Sequence, residues 1–502
     1  MNPGRPLYLA EQVRELDRRT IAAGTEGFAL MRAAAQAAYS VLRARWPEAR
    51  SLSVLCGAGN NAGDGYVMAA LAAEEGLAVQ LLALRPVERL TGDAAKAAEL
   101  AARSGVTLTP WSAEVSLEGE VIVDALLGTG LSGEVREPFL SAIARINAAE
   151  RPVLAVDIPS GLCADSGAVL GAAVAASATV TFIGDKLGLH TGAGPARVGE
   201  LRLKTLGVDA EAYADLVPAA RILTEALIGE TLPPRPRDAH KGGCGHLLVI
   251  GGAPGFGGAA LLAAEAAARL GAGKVSLATA PEHITASLVR CPEVMVHGVR
   301  GAPEAAPLLE AADAIVVGPG LGQGPWGQGL LQAALGAALG AGKPLVADAD
   351  ALNLLARGRI EARPPAWILT PHPGEAARLL GGDTASVQAD RAGSLRQLAL
   401  RFAAVVLLKG AGSLVGEDDG APLALCPYGN PGMASGGMGD VLSGILGALL
   451  AQGLAPRLAA EAGMLLHARA ADLAARAEGE RGLLAGDLAS YARRLANGVG
   501  RS

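Results

Sequence analysis

The chain repeats one local pattern, in which a short apolar run ends in a glycine-rich turn and the turn leads into an alanine-rich helix. Parallel strands cannot be joined by a tight hairpin and need a crossover, usually a helix. The repeated pattern therefore predicts parallel sheets covered by helices on both faces. The predicted strands are 51–56, 79–84, 121–125, 153–157, 179–182, 246–250, 274–278, 314–317, 345–347, 366–369 and 405–408, and helical periodicity over 8–45 precedes them.

A proline-rich segment interrupts this alternation near the middle of the chain. Pro218 and then Pro233-Pro234-Arg235-Pro236 can continue neither a helix nor a central strand. The chain has 502 residues, whereas single cores stop growing at roughly 250–300 residues. We therefore predict two tandem three-layer α/β/α domains, over residues 1–220 and 221–502.

Composition excludes several classes of function. The net charge is −6 and only 3% of the residues are aromatic, so the chain has neither the basic surplus nor the stacking rings of a nucleic-acid binder. The five cysteines are scattered without disulfide or metal spacing, which is typical of a reducing compartment. Residues 1–10 lack the apolar segment of a secretory signal, and no apolar run reaches about 18 residues. We expect a cytoplasmic protein that has no nucleic-acid or membrane partner.

A glycine-rich and polar segment follows the first predicted strand. It reads G-A-G-N-N-A-G-D-G from Gly57 to Gly65, and it loosely matches the dinucleotide fingerprint in which glycines expose backbone amides to a phosphate. The acidic residue expected about 20 positions later is missing, since the next strand ends L-L-A-L-R at Arg85. A plain dehydrogenase is therefore disfavoured, and a polar turn that caps a helix remains the alternative.

Two further strand ends carry carboxylates. Asp124 ends one strand before a flexible loop, and Asp157 ends the next strand, three residues before Ser160. Ligands of open α/β sheets bind outside the carboxyl ends of strands, so these side chains are expected to converge with the asparagines near residue 60. Such oxygens suit a hard cation better than a transition metal. Each aspartate taken alone could instead be a helix cap.

Three motifs in residues 8–215 resemble the NAD(P)H-hydrate epimerase family. They are G-x-G-N-N-x-G-D-G, V-D-A-L-L-G-T-G-L-x-G and V-D-I-P-S-G-L. The resemblance implies a Rossmann-like domain that interconverts the R and S hydrates at the carbon bearing the hydroxyl, and a potassium ion held by Asn61, Asp124 and Ser160. Asp157 and Lys186 are the candidates for proton transfer. The implied hydrate-binding residues are Asn60, Asn61, Ala62, Gly63, Asp64, Gly128, Thr129, Gly130, Leu131, Ser132, Gly133, Glu134 and Asp157.

The chain departs from that family at two places. Ala62 stands where glycine is usual, which is tolerable if the residue has a negative φ. The segment Leu30–Ala35 reads L-M-R-A-A-A and lacks both the usual acidic or amide residue after Met31 and the closing glycine. The second departure leaves the contribution of the first helices to the site open.

The strongest motif lies near the carboxyl end of the chain. Residues 429–440 read G-N-P-G-M-A-S-G-G-M-G-D, and an apolar helix is predicted from Val441. Glycines at a helix N-terminus leave amides bare, and these amides together with the helix dipole can hold a phosphoryl group. Asp440 could take a proton from a hydroxyl that attacks phosphorus. The alternative is an aspartate that caps the helix.

Two other strand ends in the second half carry candidate ligand contacts. Lys409 follows the strand 405–408 and precedes G-A-G-S, which indicates a contact with a nucleotide phosphate, although a solvated lysine is the alternative. His372 lies between two prolines and is rigidly presented, so it suits contact with a ligand unless it is merely exposed.

These motifs resemble the ADP-dependent NAD(P)H-hydrate dehydratase family over residues 225–495. H-K-G, G-P-G-L-G, D-A-D-A-L-N (from Asp348 to Asn353), T-P-H-P-G-E, K-G-A-G-S and N-P-G-M-A-S-G-G-M-G-D all match. The resemblance implies a ribokinase-like fold, phosphorylation of the hydrate's hydroxyl by ADP with Mg²⁺, and elimination of phosphate. The implied hydrate contacts are Ala259, Gly322, His372 and Asp440, and the implied nucleotide contacts are Lys409, Gly410, Ala411, Gly412, Ser413 and Gly439.

Both halves together predict a bifunctional enzyme that repairs hydrated NADH and NADPH. Its small-molecule partners would be the two hydrates (NADHX and NADPHX) and ADP, and we expect a homo-oligomer. Two alternatives remain open. A ribokinase-like vitamin kinase would share the glycine-rich loop and release a phosphorylated product, and a nucleotide sensor would bind its ligands without turnover.

Overall fold

Two separate sheets form the framework of the chain. The structure is a computed structural model, and it describes residues 4–358 and 363–499. One unit consists of Pro6–Ala220, and the other consists of the chain from Arg221 onward with the residues that precede Pro6. Each unit is a doubly wound α/β structure, so the predicted fold class is confirmed.

The first unit contains a seven-stranded sheet, β4-β3-β2-β5-β6-β7-β8, in which all neighbouring strands run parallel. The strands up to residue 204 are β1 (Arg5–Leu7), β2 (Ser51–Cys56), β3 (Ala78–Ala83), β4 (Leu108–Pro110), β5 (Val121–Ala125), β6 (Val153–Val156), β7 (Ala178–Phe182) and β8 (Glu200–Lys204). The helices are α1 (Ala10–Ala22), α2 (Gly27–Arg45), α3 (Asn60–Glu74), α4 (Gly92–Arg103) and α5 (Phe139–Ala148).

Helix α3 lies directly against the middle of this sheet. A Cβ atom on Gly65 would stand 2.5 Å from the Cβ of Ala125 and 2.8 Å from the Sγ of Cys56. Only a glycine allows the helix to approach β2 and β5 this closely. The approach fixes where the first turn of α3, which carries the predicted site residues, meets the ends of the strands.

The second unit is built on an eleven-stranded sheet in the order β1-β9-β18-β17-β16-β15-β14-β13-β10-β11-β12. Its further strands are β9 (Ala220–Ile222), β10 (His246–Ile250), β11 (Lys274–Thr279), β12 (Met295–Gly298), β13 (Ala314–Val317), β14 (Leu345–Ala347), β15 (Trp367–Leu369), β16 (Val405–Leu408), β17 (Leu414–Gly416) and β18 (Leu423–Leu425). Its helices are α6 (Ala226–Thr231), α7 (Gly257–Arg269), α8 (Ile284–Arg290), α9 (Ala302–Ala311), α10 (Pro325–Ala341), α11 (Asp350–Ala356), α12 (Pro373–Leu380), α13 (Thr384–Ala389), α14 (Arg391–Phe402), α15 (Met438–Ala451), α16 (Pro456–Glu478) and α17 (Ala485–Ala496).

Strands β10 to β16 of this sheet are parallel, whereas β17 and β18 are antiparallel to their neighbours. The ends of β10, β13, β14, β15 and β16 therefore meet along one edge, where the predicted ligand contacts of this unit lie. None of the helices in the described part of the chain is long and apolar enough to cross a membrane.

The predicted strands agree with the structure to within one residue at each end, but two helix starts were wrong. Helix α3 begins at Asn60 rather than Tyr66, and α15 begins at Met438 rather than Val441. Both early turns are rich in glycine or asparagine, which have low helix propensity, and tertiary packing overrides that propensity. Short strands such as β4, β8 and β12 were not predicted, and the antiparallel pair β17–β18 was not predicted either.

Helix α15 packs so tightly on α7 that Gly444 is required at their contact. A Cβ at this position would stand 2.1 Å from the carbonyl oxygen of Ala263. We expect Gly444→Ala to lower the free energy of unfolding by about 1–3 kcal/mol, because a backbone atom cannot rotate away. Gly336→Ala, in open space on α10, should raise it by roughly 0.5–1 kcal/mol. Chemical denaturation measures both changes, and equal stability of the two variants would contradict the close packing.

Candidate active sites

The first turn of α3 places an unsatisfied amide at the edge of the first sheet. Asn61 is 8% exposed, and in the described part of the chain neither atom of its side-chain amide has a hydrogen-bond partner. Its side chain lies against Gly128, whose position would bring a Cβ within 3.2 Å of the Cβ of Asn61. A buried amide without a partner is costly, so this position is suited to a ligand.

Asp124 and Ser160 meet beside this amide-bearing turn, at the ends of β5 and β6. The Ser160 hydroxyl donates to Asp124 Oδ1 at 2.6 Å, and the Ser160 backbone N–H donates to Oδ2 at 2.8 Å. Asp124 is fully buried, burial raises its pKa to about 6, and no described residue forms an ion pair with it. A buried carboxylate that lacks a counter-cation, near an unpartnered amide, suits a monovalent cation held by oxygen atoms.

A buried lysine lies at the ends of β6 and β7. Lys186 Nζ is fully buried, and it donates to Asp157 Oδ1 at 2.6 Å and to Thr181 Oγ1 at 2.7 Å. Asp157 has a φ of 66°, in the left-handed region that non-glycine residues seldom adopt. Strained residues of this kind cluster at functional sites. The structure thus brings together the two residues that were predicted to transfer protons.

Two further carboxylates face this pair. Asp64, on α3, is buried, and burial raises its pKa well above the usual range, with repulsion from Asp157 and Asp17 adding to the effect. Burial also raises the pKa of Asp17 to about 6; Asp157 adds to this increase and Lys186 opposes it. Sequence reasoning missed Asp17. The available signal was its helical spacing from Val13 and Thr20, which are buried on α1.

Residues Gly128–Glu134 form an exposed or half-exposed loop after β5, open to a ligand. The two sequence departures lie on α2 and α3. Ala62 lies inside α3 and is not among the residues with positive φ, so its side chain is accommodated. The Met31 side chain packs against Gly63, whose Cβ would lie 2.5 Å from the methionine sulfur, whereas the altered Arg32 is exposed. The contact between α2 and α3 therefore depends on Met31, which this chain shares with the family motif.

In the second unit, the ammonium of Lys409 lies among carboxylates. Its Nζ donates to Asp348 Oδ1 at 2.8 Å and lies 3.8 Å from Glu375 Oε2. Asp348 is almost fully buried and also accepts the Ser443 hydroxyl at 2.7 Å. Burial acts to raise the pKa of Asp348, but Lys409, together with hydrogen bonds from Ser443 and Thr370, offsets this effect and holds the pKa below its usual range. Asp348 thus has a structural role that the sequence did not reveal.

His372 and Glu375 form a capping box at the start of α12. The His372 backbone N–H donates to Glu375 Oε2 at 2.8 Å, and the imidazole Nδ1 accepts from the Gly374 N–H at 3.0 Å. Burial raises the pKa of Glu375 to about 7, although Lys409 opposes the increase. Burial lowers the pKa of His372, and Lys409 lowers it further, so the ring is neutral near pH 7. His372 is half exposed at the edge of the sheet, as a ligand contact would be.

The glycine-rich segment ends where α15 begins. Gly437 caps the helix with a φ of 90°, and a Cβ on Gly439 would lie 3.3 Å from Lys409 Nζ. Asp440 is the third residue of α15, so it lies in the first turn of the helix, near the ammonium of Lys409. Burial and repulsion from Asp348 raise the pKa of Asp440 to about 7, while Lys409 opposes the increase. A carboxylate with this pKa can accept a proton near neutral pH.

The segment Lys409–Ser413 turns sharply after β16 and is supported by an arginine that the sequence did not single out. Arg391 is 1% exposed, and its guanidinium donates to the Lys409 carbonyl oxygen at 3.2 Å. A Cβ on Gly410 would stand 2.9 Å from the same guanidinium, so a glycine is needed there. The Ser413 hydroxyl closes the turn by donating to the Gly410 carbonyl oxygen at 2.9 Å.

The other two predicted hydrate contacts follow β10 and β13, so they lie on the side of His372 that is away from Lys409. Ala259 is in the first turn of α7, after β10, and a Cβ on Gly320 would come within 3.2 Å of its Cβ. The Gly322 N–H donates to Asp350 Oδ2 at 2.9 Å. Because the sheet order is β10-β13-β14-β15-β16, these contacts line the edge from Ala259 to Lys409.

Among the residues that the structure describes, no group of three or more His, Cys, Asp or Glu side chains could hold a metal ion. A divalent cation in the second unit would therefore need additional ligands from a nucleotide's phosphates, which is how Mg²⁺ is commonly bound. Asn61, Asp124 and Ser160 form a set of a different kind, in which a single carboxylate is accompanied by an amide oxygen and a hydroxyl oxygen.

Comparisons with known proteins found a matching family model for each of the two units. A family model described as NAD(P)H-hydrate dehydratase matches residues 247–494, and one described as YjeF-related protein N-terminus matches residues 27–188. The bifunctional NAD(P)H-hydrate repair enzyme Nnr of Coxiella burnetii is 48% identical over 491 residues, covering 98% of this chain and 99% of that protein. The protein of the same name from Escherichia coli is 43% identical, covering 98% of this chain and 94% of that protein.

A solved structure matches the second unit. It is an ADP/ATP-dependent NAD(P)H-hydrate dehydratase from Bacillus subtilis, co-crystallised with ATP and Mg²⁺. It is 34% identical, has a TM-score of 0.50, and covers 56% of this chain and 98% of that chain.

The buried pair Lys409–Asp348 yields a prediction about pH. Lys409→Met should lower the free energy of unfolding by about 3–5 kcal/mol at pH 8, because a buried carboxylate loses its counter-charge. Without Lys409, burial raises the pKa of Asp348, so the carboxylate takes up a proton as the pH falls and the loss shrinks toward pH 5. Denaturation at both pH values measures the difference.

Lys343→Met is the matched control in the same unit. The Lys343 ammonium donates to the carbonyl oxygens of Leu309, Glu310 and Ala312, which do not titrate. Its effect on stability should therefore be the same at pH 5 and pH 8. If Lys409→Met were equally insensitive to pH, the assigned role of the Lys409–Asp348 pair would be wrong.

Proposed function

This chain belongs to the family of bifunctional NAD(P)H-hydrate repair enzymes, and we propose that its two units divide the two activities between them. Residues 1–220 would carry the epimerase, which interconverts the R and S hydrates. Residues 221–502 would carry the dehydratase, which returns the S hydrate to NADH or NADPH at the expense of ADP. The separate matches of the two family models, one within each unit, support this division.

The observation that carries the dehydratase assignment is Asp440 in the glycine-bounded first turn of α15, beside Lys409. Asp440 takes the proton from the hydrate's hydroxyl, whose oxygen attacks the terminal phosphorus of ADP, and AMP leaves. Bare amides at the start of α15 and the Lys409 ammonium balance the charge on the migrating phosphoryl group. The ring nitrogen then expels phosphate, and loss of a proton from the adjacent carbon restores the double bond of dihydronicotinamide.

The nucleotide and the hydrate would occupy different stretches of the same sheet edge. Lys409–Ser413 and Gly439 are placed to contact ADP, while Ala259, Gly322, His372 and Asp440 are placed to contact the hydrate. Mg²⁺ would arrive with the nucleotide, as the Bacillus subtilis dehydratase was crystallised with ATP and Mg²⁺. Asp348 is a buried carboxylate at this edge of the sheet, but its hydrogen bonds with Lys409 and Ser443 already occupy it.

In the epimerase, Asp157 and Lys186 would move the protons. Inverting the hydroxyl-bearing carbon requires a ring bond or the carbon–oxygen bond to break and re-form, and either route moves a proton to and from oxygen. The Lys186–Asp157 contact at 2.6 Å places a donor and an acceptor together, and Asp17 and Asp64 supply carboxyls of raised pKa. The hydrate would lie on Asn60–Asp64 and Gly128–Glu134.

Potassium would bind at Asn61, Asp124 and Ser160. The amide of Asn61 has no partner among the described residues, and Asp124 lacks a counter-cation there. An ion of low charge held by these oxygens would satisfy both groups. Its contribution would be to fix the first turn of α3 and the loop after β5, the two segments that are proposed to hold the hydrate.

The partners and the location of the protein follow from this chemistry. Its substrates would be the hydrates of NADH and NADPH together with ADP. We also propose a homo-oligomer in the cytoplasm. Three of its five cysteines are buried as free thiols, which a reducing compartment preserves.

The dehydratase assignment predicts that Asp440→Asn abolishes dehydration and leaves epimerisation within about twofold of wild type. The dehydration rate should fall by roughly 10²–10⁴, because the amide cannot accept the hydroxyl's proton. The assay follows the recovery of near-ultraviolet absorbance from a mixture of both hydrate epimers, with and without ADP, and the ratio of R to S over time.

Asp487→Asn is the matched control, because Asp487 occupies the same first-turn position in α17 and caps that helix. It should lower stability without changing either rate. A stable phosphorylated product in the wild-type reaction would indicate a kinase instead, and ligand binding without any product would indicate a sensor. Loss of both activities in Asp440→Asn would contradict two independent sites.

The potassium assignment predicts that Asp124→Asn raises the potassium concentration needed for half-maximal epimerisation at least roughly tenfold, because a charged ligand is lost. The substitution keeps the size of the side chain. Asp93→Asn, at a half-buried residue paired with Lys96 in the same unit, should leave the potassium dependence unchanged. An unaltered dependence in Asp124→Asn would remove this residue from the ion site.

A further inference from the structure

A polar cavity of about 570 Å³ lies beside the hydrate contacts of the second unit, and nothing above accounts for it. Its lining is Gln323, Asn353, Ala356, Arg357 and Arg378. Gln323 lies in the loop after β13, Asn353 lies on α11, Arg357 directly follows α11, and Arg378 lies on α12. The cavity thus sits over strands β13, β14 and β15, and two exposed arginines face into it.

Both arginines are held by neutral side chains. Arg378 Nε donates to Asn353 Oδ1 at 2.9 Å, and the Arg357 guanidinium donates to the side-chain and backbone oxygens of Gln323. Within residues 4–358 and 363–499, neither arginine forms an ion pair with a carboxylate. The cavity therefore presents two positive charges that no described carboxylate pairs with at contact distance, although Arg378 interacts with Glu375 at longer range.

Asp350 fixes the orientation of both amides. Its carboxylate accepts from Gln323 Nε2 at 2.9 Å and from Asn353 Nδ2 at 3.3 Å. Because each amide nitrogen faces Asp350, each amide oxygen must point away from it, toward an arginine. Asp350 thus orients the two amides. The amide oxygens in turn hold the two arginines in place without an ion pair to a carboxylate.

The same carboxylate joins the cavity to the proposed substrate site. Asp350 Oδ2 accepts the N–H of Gly322, a proposed hydrate contact, at 2.9 Å. Arg378 lies on α12, six residues after His372, which caps the start of that helix. The proposed ADP contacts follow β16, so the order of the strands places the cavity on the hydrate's side of His372.

We propose that Arg357 and Arg378 bind the pyrophosphate of the hydrated dinucleotide, an inference that rests on the proposed dehydratase function. Guanidinium groups pair with phosphate through two parallel N–H donors, and they do so best when they are held in advance. The pyrophosphate is common to NADHX and NADPHX and lies one ribose away from the reacting ring, which suits a cavity next to Gly322. The arginines contact no reacting atom and act on substrate affinity.

The test is a steady-state comparison of Arg378→Gln, Arg357→Gln and wild type at saturating ADP. The substrates are the S hydrates of NADH, of NADPH and of dihydronicotinamide riboside, which has no phosphate. KM for both dinucleotide hydrates should rise roughly 10- to 100-fold in each variant, the size expected for losing a charged hydrogen-bonding partner. kcat should stay within about twofold, and KM for the riboside hydrate should not change.

Arg476→Gln, at an exposed arginine on α16 outside the cavity, serves as the matched control and should behave as wild type. A rise in KM for the NADPH hydrate alone would assign the pair to the 2′-phosphate, and a rise in KM for ADP alone would assign it to the nucleotide. Either result, or an unchanged KM for all hydrates, would overturn the proposal. If wild type dehydrates no hydrate with ADP, it is the proposed function that fails.

Discussion

Each unit depends on one buried lysine that balances several carboxylates at the carboxyl ends of a parallel sheet. Lys186 meets Asp157 in the first unit, and Lys409 meets Asp348 in the second. Only a few of the 43 basic residues are lysines, so the use of two of them here is informative. A compact ammonium with three donors fits a crowded set of oxygen acceptors, whereas the planar guanidinium of arginine does not.

The desolvated ammonium sets the proton affinity of the groups around it. Burial alone would push the pKa of Asp440 and of Glu375 far upward, and Lys409 opposes this effect, so that both lie at about 7. In water, without either influence, both carboxyls would be ionised and weakly basic. Near neutrality Asp440 can both accept and return a proton. The same balance holds around Lys186, where the pKa of Asp17 is about 6.

The sequence predicted what depends on local pattern and missed what depends on packing. Strands such as Ser51–Cys56 and His246–Ile250 were predicted with the observed bounds because they are short runs rich in leucine and valine that end at glycine-rich turns. The short edge strand Glu200–Lys204 alternates charged residues with leucine, has no buried residue, and gave no such signal. The role of Arg391 under Lys409 could not be predicted either, because it depends on how α14 meets β16. Asp348 matched a motif, but its counter-charge lies 61 residues away.

Chemistry explains why the two activities occur in one chain. Hydration of a dihydronicotinamide can place the hydroxyl on either face of the ring. The base that we propose for the dehydratase, Asp440, lies in the first turn of α15, where the backbone at Gly439 lies close to Lys409. A site with one fixed base and one fixed phosphoryl acceptor can serve only the epimer whose hydroxyl points toward both. The other epimer would accumulate unless a second site inverted it, and the cluster around Lys186 is the site that we propose for this inversion.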